Sequence, residues 1–312
     1  SLHDARPILG RRLSDVYPYL AGVCDLKIED FNAQEIIEKA DLVFFATPSG
    51  VASSLAEEFV QADFPIIDLS GDHRLPADVY QEWYKKSPAK KMILNKFTYA
   101  LSEYTDVKGK KFIANPGCYA TATELALIPL VAAGLIETDS IIVDAKSGLT
   151  GAGKALSESS HFVNVHDNYM TYKLNHHQHI PEIVQTLQAF DADMPEIQFS
   201  TSLLPVNRGI MATVYCKLKK DVAVSDIASA FAKAYDDKPF VRVQENLPEL
   251  HNVIGSNFTD IGFAYNEKTN VMTVISVIDN LLKGASGQAV QNLNLMQGWD
   301  ETEGLHMTPS YL

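Results

Sequence analysis

The chain has 312 residues, 46% hydrophobic and 21% charged, with 39 acidic against 26 basic side chains and a formal net charge of −13. That length suits two domains and a substantial core, and no stretch approaches the roughly 18–20 continuous apolar residues of a membrane span. The acidic balance argues against nucleic acid or an anionic membrane as partner, since either needs a broad basic face; small anionic ligands would have to be held by a few local cations.

In chain order, the opening residues from Ser1 carry no signal-peptide pattern and no initiating methionine, so the expectation is a cytoplasmic protein whose beginning is missing from this sequence. Short apolar strands then alternate with amphipathic helices, the pattern of a parallel sheet with crossover helices. Leu42-Val-Phe-Phe-Ala46 predicts a buried strand ending at Thr47-Pro48-Ser49-Gly50, and Val51, Leu55, Phe59 and Val60 place a helix after it over 51–60. Pro65-Ile-Ile-Asp68-Leu-Ser70 and Lys111-Phe-Ile-Ala114 predict two more strands. Ligands of open α/β sheets sit beyond the carboxyl ends of the strands, so loops 47–50, 70–74 and 115–118 are expected to meet at one cleft.

Beyond residue 135 the pattern changes. Ser140-Ile-Ile-Val-Asp-Ala-Lys146 predicts a strand, and residues 147–173 follow as a polar, Gly-rich stretch with little periodicity, the mark of a functional segment or an interaction arm. Then come a helix over 181–190, strands over 198–204 and 210–218, a helix over 224–235, and strands over 258–265 and 270–278 joined by the Asn266-Glu-Lys-Thr hairpin. Long strands adjoining in sequence predict an antiparallel or mixed sheet with helices on one face, an α+β unit. A last helix over 285–296 is free to pack on either unit.

Chemistry concentrates at Asn115-Pro116-Gly117-Cys118-Tyr119, which delivers one cysteine to the first turn of a helix straight out of a strand. Free amide N–H groups and the positive end of the helix dipole favour thiolate there, and the Pro-Gly turn lets a reacting carbonyl approach the backbone. The alternative is a structural thiol, the commoner fate of the residue type, but Cys118 precedes the apolar run and has hydroxyl and amide neighbours. The other cysteines, Cys24 and Cys216, are distant and form no CxxC, so neither a disulfide framework nor a structural zinc site is expected.

Three histidines stand before the helix at 181 in Asn175-His176-His177-Gln178-His179-Ile180-Pro181-Glu182. Adjacent imidazoles in an extended chain point in opposite directions, which disfavours a metal site; none is expected. The remaining readings are an acid–base imidazole, with His177 and His179 on one side, or solvated loop histidines. Ser147-Gly148-Leu-Thr150-Gly151-Ala-Gly153-Lys154 resembles a phosphate-cradling loop only weakly, because it does not match GxxxxGK[ST]. Arg208, in a turn between strands, is either an anion anchor or half of a surface ion pair.

Taken together, these segments resemble the N-acetyl-γ-glutamyl-phosphate reductase family. Asn115-Pro-Gly-Cys118-Tyr119 is similar to its active-site motif, and Asp279-Asn280-Leu-Leu-Lys283-Gly284-Ala-Ser-Gly287-Gln288 opens a stretch similar to its C-terminal signature. Ser147–Gly153, His177–Glu182 and Pro205–Ile210 match family segments in the family's order. The resemblance implies an α/β protein with a Rossmann-type parallel-sheet domain over 1–117 and 285–312, and an α+β catalytic and dimerisation domain over 118–284. It implies NADP as cofactor, an acyl-phosphate substrate of arginine biosynthesis, a cysteine thioacyl intermediate, and a homodimer or homotetramer.

By the same resemblance, Cys118 is the nucleophile and His179 the acid–base residue, with His177 its rival. Asn115, His177 and Arg208 border substrate. Thr47, Pro48, Ser70, Ser147, Gly151, Gly153 and Asn280 border the cofactor, and Lys146, Arg208 and Lys283 gather around the anionic ligands. Two departures stand out. The family's first strand and GxxGxxG turn are not in the chain, so either they precede Ser1 or the dinucleotide is not properly held. Gln178 stands where the family often has arginine between the paired histidines. Competing readings are aspartate-semialdehyde dehydrogenase or a related thioacyl dehydrogenase, and a non-redox cysteine acyltransferase or hydrolase.

Overall fold

The computed structural model describes residues 8–153 and 157–310; residues 1–7 and Lys154 of the Gly-rich stretch lie outside the described residues. The first half carries helices α1 (Leu13–Val16), α2 (Ala33–Lys39), α3 (Ala52–Gln61), α4 (Ala77–Tyr84) and α5 (Lys91–Leu94) around strands β1 (Val43–Phe45), β2 (Ile66–Asp68), β3 (Thr98–Tyr99) and β4 (Phe112–Ala114). These strands form a wholly parallel sheet in the order β1-β2-β4-β3. Strands covered on both faces lose the apolar–polar alternation and become short continuous apolar runs, as β2 and β4 do; β1, expected to be buried, lies at the sheet edge with Phe44 40% exposed, and only Phe45 of its three residues is buried.

Helix α6 (Cys118–Ala132) leaves β4 after a three-residue turn and is buried nearly all round, its side chains from Tyr119 to Val131 out of solvent. A helix apolar on every side belongs in a core. Its Leu125, Leu127 and Ile128 lie in one apolar cluster with Val143, Phe199, Val214 and Val274 of the second sheet. That sheet has seven strands: β5 (Ile136–Ser147), β6 (Met170–Tyr172), β7 (Gln198–Leu203), β8 (Ile210–Leu218), β9 (Val241–Val243), β10 (Thr259–Asn266) and β11 (Val271–Ile278). Their order is β6-β7-β5-β8-β11-β10-β9, mixed, with parallel pairing only at β5–β7 and β9–β10.

The described residues of 147–173 are more ordered than their composition implied. They hold 3-10 turns at Leu149–Ala152 and Glu158–Ser160, helix α7 (Phe162–Val165), and β6, which adds an antiparallel edge to β7. Elements this short leave no periodic signal. Helices α8 (Ile180–Gln188) and α9 (Val224–Tyr235) pack on α6. The chain ends in a π-helical turn, Leu282–Ser286, running into α10 (Gly287–Gln297). Ala289 and Met296 of α10 cluster with Ile67 and Ile113, so this helix returns to the parallel sheet.

Candidate active site

The loops after β1, β2 and β4 do converge, and they meet the Ser147 loop, the histidine turn and the π-helical turn around a cleft of about 780 Å³. Buried Asp68, at the end of β2, shapes one wall: its carboxylate accepts from Ser70 N (2.8 Å) and Ser70 Oγ (2.9 Å) and lies 2.6 Å from His73 Nδ1. Four residues on, Asp72 accepts from Gly50 N (2.6 Å) and Ser53 N (3.0 Å), capping the start of α3 and locking loop 47–50 to loop 70–74.

This bracing places Arg74, which the sequence reading did not single out. Its guanidinium is buried and fully engaged, donating to Asn115 O (2.8 Å), Leu69 O (2.7 Å) and Glu182 Oε1 (3.0 Å). Glu182 is a second unrecognised member. Fully buried in the first turn of α8, it also accepts from Gly117 N (3.0 Å), and its Oε1 stands 3.9 Å from His179 Nε2. One carboxylate therefore joins the histidine turn to the backbone immediately before Cys118. The signal was present, since Glu182 follows His179 by one helical turn, but a motif near a helix start gives no direction to its side chains.

Gly117 and Gly284 let these parts close on one another. A Cβ at Gly117 would overlap the His179 ring, so the imidazole rests against the turn that presents the thiol. A Cβ at Gly284 would stand 2.8 Å from Cys118 Cβ, which places the π-helical turn directly against the cysteine. His177 and His179 lie with ring centroids 4.6 Å apart although their segment is a turn, and His179 N donates to His177 Nδ1 at 3.2 Å. His176 lines a different cavity. Among the described residues, no group of three His, Cys, Asp or Glu side chains is placed to hold a metal ion.

Protonation differs from the expectation of a resting thiolate. Burial pushes the Cys118 thiol up to about 11, against smaller downward contributions from Arg74 and the backbone N–H groups of Tyr119 and Cys118. Desolvation outweighs the helix terminus here. Burial, reinforced by the Arg74 and Lys173 charges, holds His179 well below the usual histidine value, and burial with His179 and Lys173 does the same to His177. Both shifts favour the uncharged forms, thiol and imidazole.

Of the residues expected at the site, Cys118, His177, His179, Thr47, Pro48, Ser70, Gly151, Gly153 and Asn280 line the cleft. Asn115, Ser147 and Arg208 do not. Asn115 is buried behind the thiol turn, donating to Ala285 O (3.2 Å) and accepting from Asn292 Nδ2 (3.1 Å). Ser147 lies buried beneath Gly151, whose added Cβ would stand 2.6 Å from Ser147 Oγ. Arg208 turns to Asp279 at 3.6 Å. The expected gathering of Lys146, Arg208 and Lys283 around ligands is not found: Lys146 pairs with Asp144, and fully buried Lys283 pairs with Glu103. For Lys283 the partner is required, because an unpaired buried charge is costly; Lys146 and Arg208 are partly exposed and pair at the surface of the fold.

Comparison with known proteins fits this arrangement. Residues 4–106 match the family described as semialdehyde dehydrogenase, NAD binding domain, and residues 118–280 match semialdehyde dehydrogenase, dimerisation domain. The N-acetyl-γ-glutamyl-phosphate reductase of Streptococcus thermophilus is 98% identical over 312 residues, all of this chain and 92% of that protein. The chain belongs to the N-acetyl-γ-glutamyl-phosphate reductase family. Proteins of the same name from Streptococcus mutans and Staphylococcus epidermidis are 71% and 58% identical, again over 100% of this chain and 92% of each protein. Among solved structures, an aspartate semialdehyde dehydrogenase with NADP from Candida albicans superposes with a TM-score of 0.64 at 14% identity, covering 92% of this chain and 87% of that one. At that identity the likeness is one of fold. The reductase thus shares its two-part architecture with the semialdehyde dehydrogenases, and among the described residues no helix is long and apolar enough to cross a membrane.

Proposed function

We propose that the chain carries out the NADP-dependent reduction of N-acetyl-γ-glutamyl phosphate to N-acetylglutamate γ-semialdehyde, with release of phosphate, in arginine biosynthesis, and that Cys118 and His179 perform the covalent chemistry. The observation that carries this reading is the contact of the His179 imidazole with Gly117, at the turn that starts α6 with Cys118.

In the first step His179 takes the thiol proton as Cys118 Sγ attacks the acyl carbon. The S–C bond forms, the C–O bond to phosphate breaks, and inorganic phosphate leaves with the electron pair, so a thioester remains on Cys118. Backbone N–H groups of the first turn of α6 serve as donors to the carbonyl oxygen as it takes charge. Bound NADPH supplies the hydride that brings the thioester to the aldehyde level. On release the C–S bond breaks, and sulfur keeps the pair and regains the proton from His179. His177 orients its neighbour through the His179 N–H bond and borders the substrate.

The residues present fit the nicotinamide end of the cofactor. Thr47 Oγ1 is buried with no hydrogen-bond partner among the described residues, and Gly151 and Gly153 present bare backbone at the cleft. We assign Thr47, Pro48, Ser70, Gly151, Gly153 and Asn280 to that end, with Ser147 supporting the loop from beneath. Asn280 spans the wall, accepting from Gly209 N (2.7 Å) and donating to Thr150 Oγ1 (3.0 Å). Asn115 braces the thiol turn, and Arg208 steadies the loops beside Asp279 in place of a direct role on substrate. The division into 1–117 with 285–312 and 118–284 is supported by the apolar clusters, and assembly as a homodimer or homotetramer fits the dimerisation-domain match. A cytoplasmic location is proposed from the free, widely spaced cysteines Cys24, Cys118 and Cys216.

The test is phosphate-dependent reduction of NADP⁺ by N-acetylglutamate γ-semialdehyde, with Cys118→Ala as the comparison. Loss of about 10⁴-fold or more in kcat is expected. Turnover within tenfold of the parent would sink the covalent route.

A further inference from the structure

The acyl phosphate is anionic at both ends, yet the cleft has almost no spare positive charge. Among the described residues its lining holds two cations, Arg74 and Lys173. Arg74 is committed: three of its N–H groups go to Asn115 O, Leu69 O and the buried Glu182 carboxylate, whose charge balances its own. Lys146, Lys283 and Arg208 are paired elsewhere. Gln178, between the two catalytic-turn histidines, carries no charge.

Lys173 differs from all of these. Its side chain reaches the cleft beside Tyr172, His177 and Gln178, and among the described residues no carboxylate lies within ion-pair distance of it. Its one described hydrogen bond, 2.8 Å to Gln178 Oε1, goes to a neutral oxygen. Its backbone sits in the left-handed region, φ 46°, which lysine adopts only at a cost; strain of this kind gathers where a ligand is clamped. A lysine ammonium is a mobile point charge with three donors, suited to either a carboxylate or a phosphoryl group.

On the reading of the cleft as the acyl-phosphate site, we infer that Lys173 is the anchor for an anionic group of the substrate, held ready by Gln178. Gln178 then positions the cation rather than binding the anion itself. With Gln178 as its one described polar partner, the ammonium keeps donors free for an incoming anion.

The experiment is steady-state kinetics in both directions on the full chain with Lys173→Met and Lys173→Arg, alongside Cys118→Ala. Lys173→Met should raise KM for the acyl phosphate roughly 10- to 100-fold with a smaller fall in kcat, and Lys173→Arg should recover most of the loss. In the reverse direction, a raised KM for inorganic phosphate assigns the phosphoryl group and a raised KM for the semialdehyde assigns its carboxylate. Calorimetric titration with phosphate and with N-acetylglutamate reads the same contact without turnover. Unchanged KM and binding for every anion, or equal defects in the Met and Arg variants, would overturn the inference. Persistent turnover in Cys118→Ala would instead overturn the covalent reading and leave this one standing.

Discussion

At the scale of single residues, the chemistry rests on a proton that moves with the substrate present. A thiol pushed up to about 11 and an imidazole held well below its usual value cannot form a resting ion pair near neutrality. The sign follows: the thiolate fraction of the free enzyme grows only as pH rises toward that value, so iodoacetamide labelling of Cys118 should climb steadily between about pH 7 and 10. A plateau reached by pH 7 would mean that the helix terminus prevails over burial. Composition and motif singled out Cys118, His177 and His179, and the fold brings all three to one cleft. They could not locate Arg74 or Glu182, because what makes those two functional is the fold: Glu182 becomes a hub only when α8 is laid against Gly117 and Arg74. Lys283 illustrates the opposite error. A lysine in a signature stretch suggested a ligand, but burial beside Glu103 makes it an internal strut.

Among elements, α6 shows how one local cost is offset across the core. Pro129 lies inside the helix and has no N–H to offer the carbonyl four residues earlier, that of Leu125. Tyr235, at the end of α9, fills the gap by donating its hydroxyl to Leu125 O at 2.6 Å. Removing that donor strands a buried carbonyl, so Tyr235→Phe should lower stability by about 1–3 kcal/mol in urea unfolding, with the m-value unchanged. A change below about 0.5 kcal/mol would show that Leu125 O finds another partner. Most strands and the longer helices were legible because burial on one or both faces writes a pattern into the sequence, whereas β3, β6 and β9, two or three residues each, were not. Helix α10 was found, but its interior of Gln288, Gln291, Asn292 and Asn294 hides a polar lattice: Gln288 to Thr121, Asn292 to Asn115 and Ser102. The π-helical turn before it left no periodic trace. Its bonds from Gly284 N to Asp279 O (2.9 Å) and Ser286 N to Leu281 O (3.0 Å) are nevertheless what lay Gly284 on the cysteine.

For the whole molecule, the site exists because two sheets with different grammars share one helix start. The parallel sheet supplies the turn that ends in Cys118; the mixed sheet supplies the Ser147 loop, and the segment between β6 and α8 supplies the histidines. Asn115, Asn292 and Ala285 tie the returning C-terminal segment to the thiol turn, so the nucleophile is braced from both sides. On the proposed mechanism, thioester formation needs only the residues around Cys118 and His179, whereas its reduction needs the facing wall and a dinucleotide. The most direct measurement separates these halves: incubate the full chain with N-acetyl-γ-glutamyl phosphate in the absence of NADPH, quench in acid, and map the intact and digested protein by mass spectrometry. The account requires one N-acetylglutamyl group on Cys118, lost when NADPH is added before the quench. An unmodified Cys118 in a preparation that still turns over, or an adduct on another residue, would contradict it.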